Sequence, residues 1–407
     1  MSRPEPAMAF VESNTTGSGR QFCAAARALG LRPVLITDRP DRYPFAVADR
    51  IDTVVCDTGD ARAVTAACAD LAETGRLAGV TSSSEYFVTT AAQAAADLDL
   101  PGPRPTALHR CRHKDQQRAA LDAAEVPTPR WVAVTEQEQA HRAAVDLSCP
   151  VIVKPTTGSG SHGVRLCRTP VQARQWAGRL LAERVNERGM AQPGVVLIEE
   201  YVEGEEFSVE IADGADVAVA AKHLGAPPTF VELGHDLPGT AGPRTARLRD
   251  TARAAVAALG VGWGAAHVEL RYGPRGPVVI EVNPRLAGGM IPTLVRLTSG
   301  VDLIGSLVAR SAGLLPPPAG EDIHPAAAIR FLTCQQPGVL DMVDGVAEAR
   351  TLPGVHAVEI TGSLGSLIAV TGSFRDRIGY AIAVGAGTAE AAARAEAAIA
   401  ALRPQIR

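Results

Sequence analysis

Of the 40 lysine and arginine residues in this 407-residue chain, only three are lysine, at positions 114, 154 and 222. The other basic positions are arginine, and Ala, Gly and Pro are abundant, a bias that replaces lysine wherever chemistry permits. A position that stays lysine then reads as one that needs a compact ammonium, for which arginine's planar fork is no substitute at a crowded phosphate oxygen. Chance survival is the alternative, but each lysine lies beside a second candidate element. Lys154 closes the apolar run Val151 to Val153 and opens Pro155-Thr156-Thr157-Gly158-Ser159-Gly160-Ser161-His162-Gly163, after which an apolar run, Val164 to Cys167, resumes. This order of strand, glycine loop and strand excludes two phosphate motifs, because a dinucleotide fingerprint must open a helix and a Walker A loop must close on Gly-Lys-Ser/Thr. What remains is a hairpin flap whose bare backbone N–H groups fold over phosphates. A plain turn between strands has the same composition.

Glu269 and Glu281 lie on two β-like runs, 265–271 and 278–282, joined by a Gly/Pro turn. They are expected to face each other across a hairpin, with Asn283 on the face of Glu281. Glu281 sits among apolar neighbours, where an uncompensated carboxylate is costly and a bound cation is the natural compensation. Two carboxylates and an amide suit Mg²⁺, with Mn²⁺ as the alternative ion, completed by water and substrate phosphates. Arg285, two residues further along, is placed to stabilise charge on a transferring phosphoryl group or a tetrahedral oxyanion. A surface hairpin tied by Arg271, Arg275 and Arg285 is the competing explanation. Upstream, Glu199-Glu200-Tyr201-Val202, a turn at Gly204 and then Glu206 form an acidic hairpin. It can offer Val202's backbone N–H and a neighbouring carbonyl to a flat heterocycle, and one carboxylate to a sugar.

These side chains need a frame. Short β-like runs at 9–11, 34–37, 53–56 and 78–80 alternate with Ala-rich helical sequence at 21–29, 60–73 and 89–97. Such alternation predicts an α/β, doubly wound parallel sheet with ligands at the carboxyl ends of its strands. Ser13 to Arg20, Asp38 and Thr81-Ser-Ser-Ser-Glu85 fall at those ends. Glu85 there takes a substrate ammonium or caps a helix; Gly17, Gly19 and Arg20 serve a ligand or simply make a turn. A Pro-rich connector ending at Pro105 precedes a helix expected from Thr106 to Ala124 that carries Lys114-Asp115, and another helix is expected over 170–188. Pro316-Pro317-Pro318 signals a second linker. Beyond it, β-like runs at 327–333, 355–360 and 366–371 and a helix at 388–402 predict a small α+β domain.

Composition bounds the function classes. With 46% hydrophobic residues the chain can fill two or three domain cores. Neither a leader pattern nor a run of about 18 apolar residues is present, so a cytoplasmic protein without a membrane partner is expected. Seven scattered cysteines without a C-x-x-C pair are expected to stay reduced. A net charge of −4 with no basic cluster gives no electrostatic case for nucleic acid.

Taken together and in order, Lys114-Asp115, Lys154-Pro155 with its glycine loop, Glu199 to Val202 with Glu206, Glu269, and Glu281-Val-Asn283-Pro-Arg285 resemble the ATP-grasp superfamily. The match spans roughly residues 106 to 312. The resemblance implies that superfamily's three-domain architecture: an N-terminal doubly wound domain over 1–105, an ATP-grasp domain over 106–314 with a flap-bearing part at about 130–205, and a C-terminal α+β domain over 315–407. It implies ATP held by Lys114 and Lys154 at the phosphates, by Thr156, Gly158, Ser159, Gly160 and Gly163 in the flap, by Glu199, Glu200, Tyr201 and Val202 around adenine, and by Glu206 at the ribose. Glu269, Glu281 and Asn283 would hold the metal, while Arg285, Lys154 and Lys222 would serve the reacting centre.

The reaction it implies converts a carboxylate to an acyl phosphate that an amine then attacks, releasing ADP and phosphate. Its partners would be a small-molecule carboxylate and amine, and a homodimer is a further expectation. Within the superfamily the opening Glu12-Ser-Asn-Thr-Thr-Gly, the segment Ser84-Glu85-Tyr86 and Arg285 with Gly288-Gly289 are similar to the stand-alone L-amino acid ligases. That likeness implies a substrate role for Glu85, His235, Arg285, Gly288 and Gly289, with the glycines leaving a roomy pocket and Gly289→Trp shrinking it. His235 as a solvated loop residue is the alternative. Rival readings are a ligase for another acid, like biotin carboxylase or the purine-pathway enzymes, and an inactive ATP-binding regulatory module.

Overall fold

The computed structural model describes residues 5–14, 18–186, 188–334 and 336–407. Thr15, Thr16 and Gly17 of the expected N-terminal loop therefore lie outside the described residues. The first sheet has four parallel strands in the order Asp52–Val55, Arg32–Thr37, Ala7–Val11, Leu77–Thr81. All five residues of Ala7–Val11 are buried, because helices cover both faces of a parallel sheet. Met8 and Phe10 join the cluster of Phe22 and Ala26 from helix Ser18–Ala28, while Ala7, Ala9 and Val11 join Val64, Ala67 and Ala91 from Ala61–Thr74 and Val88–Asp97.

A second sheet has eight antiparallel strands, ordered Gly276–Asn283, Ala265–Gly273, Glu205–Ala212, Ala215–Leu224, Glu232–Leu237, Ala326–Thr333, Arg377–Gly385, Val355–Ile360. The hairpin of Ala265–Gly273 and Gly276–Asn283, which carries Glu269 and Glu281, forms one edge, where unpaired backbone groups would normally be exposed. Helix Lys114–Ala123 covers it: Gln117 donates to the Val282 carbonyl and accepts from the Val282 N–H, both at 2.9 Å, as a further strand would. Arg118 donates to the Ile280 carbonyl. The face that does this, Lys114, Gln117, Arg118 and Leu121, is buried although three of its four residues are polar.

The glycine loop belongs to a third sheet, Trp131–Val134, Val196–Glu200, Val151–Pro155, Arg165–Cys167, backed by helices Gln137–Asp146 and Pro170–Ala182. Strands after the Pro-rich stretch extend the eight-stranded sheet across residue 314. Leu367–Ile368, Gly338–Asp344 and Arg403–Ile406 make a small sheet of their own.

Several elements differ from expectation. The helix over 106–124 is two helices, Pro105–Arg112 and Lys114–Ala123, broken at His113 with φ −98° and ψ 100°. The Lys114 N–H leaves the helical ladder for the Thr156 carbonyl at 2.9 Å, which turns the lysine toward the glycine loop. The helix expected over 170–188 stops at Ala182, and the run 366–371 is a strand only at Leu367–Ile368. Strand Glu232–Leu237 and helix Pro243–Leu259 lie where no element was expected. No single helix among the described residues is long and apolar enough to cross a membrane.

Candidate active site

A cavity of about 120 Å³ lies between the glycine-loop sheet and the eight-stranded sheet, and all three lysines line it. Lys114 Nζ is 2.9 Å from Glu281 and donates to the Gly158 carbonyl at 3.1 Å. Lys154 Nζ is 2.7 Å from Glu199, whose other oxygen accepts from Arg118 at 2.7 Å. Lys222 lies 2.7, 3.0 and 3.3 Å from Glu232, Glu269 and Glu206. The environments differ in sign. Burial, helped by the charge of nearby Arg118, outweighs Glu199 and lowers the Lys154 pKa, whereas at Lys222 three carboxylates overcome burial and hold it well above its ordinary value.

Glu269 and Glu281 are direct cross-strand partners, with a register shift just after Glu269. The amide end of Asn283 lies 3.1 Å from Glu281 Oε1 and 3.0 Å from Glu85 Oε1; with its nitrogen turned to them it donates to both. Burial alone would raise Glu269, but Lys222 and His267 hold it well below the carboxylate range. Arg285 joins three parts of the chain. Its guanidinium donates to Glu85 at 2.7 and 3.1 Å, and to Ser159 in the glycine loop at 3.4 Å. Opposite the metal-type cluster, Tyr201 and Phe230 stack at 6.4 Å, each with the Arg271 guanidinium 5.2 Å from its ring centre.

A larger cavity of about 560 Å³ adjoins the first, and Ser159, Gly160, Glu232, Glu269 and Arg285 line both. It holds Glu85, His235, Gly288 and Gly289, with Met290, Ile291, Phe331 and Tyr380 giving an apolar wall. The Cβ of any side chain at Gly160, where φ is +64°, would fall 2.2 Å from Phe374, so this glycine lets the C-terminal segment close on the flap.

Three family models match: "ATP-grasp N-terminal domain" over 23–102, "ATP-grasp domain" over 147–293, and "L-amino acid ligase C-terminal domain 2" over 330–407. The chain belongs to the ATP-grasp superfamily. An uncharacterized protein of Sinorhizobium fredii, y4rH, is 35% identical over 91% of this chain and 77% of its own length. Carnosine synthase 1 of Mus musculus is 26% identical over 69% of this chain, which spans only 36% of that protein. The crystal structure of L-amino acid ligase from Bacillus licheniformis superposes with a TM-score of 0.83 at 21% identity, covering 100% of both chains. At that identity the likeness is one of fold.

This ATP-grasp chain brings most of the sequence-nominated residues together. Lys114, Lys154, Gly158, Ser159, Gly160, Glu199, Glu200, Tyr201, Val202, Glu206, Lys222, Glu269, Glu281, Asn283 and Arg285 line the smaller cavity. Thr156 and Gly163 do not; the Thr156 hydroxyl donates to the Val195 carbonyl. The Glu199 carboxylate is taken by Lys154 and Arg118, so it positions a lysine. His235 is on a strand, 1% exposed, with neither ring nitrogen hydrogen-bonded, and burial pushes its pKa down to about 3. The solvated-loop alternative for it is thereby corrected. Gly289 has φ +58°, and a Cβ there would lie 2.5 Å from His235 Nε2, so a tryptophan would meet backbone strain and the imidazole before it reached the cavity.

Sequence reasoning missed Arg118, Phe230, Glu232, Arg271 and Arg377. Arg271 had a signal, since His267, Glu269 and Arg271 alternate along one strand and share a face. Glu232 binds Lys222 at 2.7 Å and Arg377 at 2.6 Å; Arg377 is 145 residues away in sequence, and no local pattern announces it.

Proposed function

We propose that this chain is an ADP-forming carbon-nitrogen ligase that activates a carboxylate as an acyl phosphate and joins it to an amine, most simply an L-amino acid ligase forming a dipeptide. The observation that carries this is the convergence of all three lysines with Glu269, Glu281 and Asn283 on one cavity that opens, at Arg285, into a larger one. The donor set fits Mg²⁺: the two cross-strand carboxylates supply oxygens, and the Asn283 amide, whose nitrogen is turned to Glu281 and Glu85 here, would turn its oxygen to a bound cation. Glu269, Glu281 and Asn283 would hold the metal, which when bound neutralises charge on the phosphates.

Lys114 and Lys154 would bind phosphate oxygens, exchanging part of their pairing with Glu281 and Glu199. Tyr201 and Phe230 supply flat apolar surface for a base, and Glu206 a carboxylate for the ribose. The glycine loop, closed beneath Phe374, would exclude water from the acyl phosphate. A carboxylate oxygen of the acid attacks the terminal phosphorus and ADP leaves; the amine nitrogen attacks the acyl carbon, phosphate leaves and a proton is lost from nitrogen. Arg285, bridging Glu85 and the loop, stabilises the charge that develops between those steps. The test is phosphate release from ATP and Mg²⁺ over a matrix of amino-acid pairs, with mass spectrometry of each positive. The expected result is phosphate only with particular pairs and a product one water lighter than their sum. Phosphate release that ignores the amine, or none with any pair, overturns the reading.

A further inference from the structure

Five arginines line the larger cavity, Arg42, Arg188, Arg285, Arg375 and Arg377, against three described carboxylates, Glu85, Glu232 and Glu269. Each carboxylate is already compensated: Glu85 by Arg285, Glu232 by Lys222 and Arg377, Glu269 by Lys222 and His267. The surplus cations therefore lie elsewhere in the cavity. Arg188 is half-buried, and among the described residues it donates to neutral oxygens, the Tyr43 hydroxyl at 3.2 Å and the Ser13 carbonyl at 3.1 Å. Arg42, beside Tyr43 in sequence, has a single long contact of 3.3 Å, to Asp38. With them on the N-terminal side of the cavity stand Asn14, Ser18 and Gln21, all uncharged. Arg42 is thus only loosely neutralised and Arg188, among the described residues, faces no carboxylate, an arrangement that an anion brought from outside stabilises.

We propose that Arg42 and Arg188 form an anion subsite, separate from the lysine cluster of the smaller cavity, that holds a carboxylate or phosphate group carried by the amine substrate. This rests on the ligase reading and sharpens it. The acid's own carboxylate is consumed at Arg285, so an anion at Arg188 must belong to the second substrate, and a neutral amine would leave the subsite empty. Arg188 is also a tie between the segment after helix Pro170–Ala182 and the N-terminal sheet, since Tyr43 in turn donates to buried Glu12 at 2.5 Å. The subsite would therefore order that tie as the second substrate enters.

The experiment compares amines that differ only in this group: glycine, glycinamide and phosphoethanolamine as nucleophiles with the best acid found in the amino-acid matrix, using the intact enzyme and the variants Arg188→Gln and Arg42→Gln. The readout is the ratio of kcat/KM for the charged amine to that for glycinamide. The expected result is a ratio of at least tenfold in the wild type that falls toward one in both variants, with the higher of the glycine and phosphoethanolamine rates naming the anion. A variant that only loosened the tie to Tyr43 would lower all rates and leave the ratio. Equal use of glycinamide by the wild type, or an unchanged ratio in both variants, overturns the proposal. Calorimetric titration of the same three amines into the enzyme saturated with ADP and Mg²⁺ reads the subsite without turnover. Anion-selective binding lost in Arg188→Gln supports it even if the ligase reading fails, and binding indifferent to the anion or to Arg188 rejects it.

Discussion

The smaller and larger cavities share Ser159, Gly160, Glu232, Glu269 and Arg285, yet they are built by different rules. In the smaller one the lysines are paired in advance: Lys114 with Glu281, Lys154 with Glu199, Lys222 with three carboxylates. In the larger one some polar groups are left waiting, with His235 unbonded and Arg188, among the described residues, held by neutral oxygens. A site that takes the same partner every time can be pre-organised to the last charge, because the geometry needed never varies. A site that selects a partner keeps its unsatisfied groups for that partner, and the cost of leaving them empty is what discriminates.

The largest test of this contrast lies at the junction. Arg285→Ala should lower kcat by about 10²–10³-fold, as loss of a charge-stabilising group does, and should also destabilise the fold by leaving Glu85 buried without its cation. Adding Glu85→Gln should restore the melting temperature and not the turnover; recovery of both would make Arg285 a structural residue. Within the pre-paired cavity, Lys154→Arg should cost about 1–3 kcal/mol of stability by overpacking a site that is 4% exposed at the side chain, and calorimetry should show weakened nucleotide binding. Full affinity in that variant would break the argument that lysine survives by necessity.

Smaller effects are expected in the larger cavity. A Cβ at Gly288 meets nothing within 4 Å, so Gly288→Leu should fill space at little cost to stability and raise KM for bulky acids by about tenfold. Gly289→Trp should instead lose about 1–3 kcal/mol, because its backbone is strained for any side chain. Thermal melts of the two variants separate these outcomes, and equal destabilisation would show that the cavity has no slack. The smallest effect concerns His235, neutral when folded down to about pH 3 but protonated below about pH 6.5 when unfolded. The unfolded state thus binds the extra proton, and stability falls as pH drops. Between pH 6.5 and 5 the wild type should lose about 1.5 kcal/mol more than His235→Leu, measured by denaturant unfolding. Identical pH slopes would mean that a partner reaches the imidazole.

How much of this was legible follows the same division. That Glu269 and Glu281 meet could be read because they sit on adjacent strands joined by a short turn, but their exact pairing could not: the register leaving the turn would set Ile280 opposite Glu269, and the bulge just after Glu269 brings Glu281 there instead. The broken helix at His113 was not legible, since its cause is a hydrogen bond to Thr156, 42 residues on. Nor was the buried polar face of Lys114, Gln117 and Arg118, which looks solvent-facing until the edge strand it covers is known.

The sequence by itself determined the fold class, the order of the motifs and which lysines and carboxylates to look for, because these depend on residue type and on spacings within one or two elements. Only the tertiary structure decided that Glu199 serves Lys154, that His235 is dry, that Arg377 reaches Glu232 from the C-terminal segment, and that Arg42 and Arg188 line the same cavity. Those facts depend on which distant segments meet. That is set by packing of the whole chain, where each contact is worth little alone and leaves no local mark on the residues that make it.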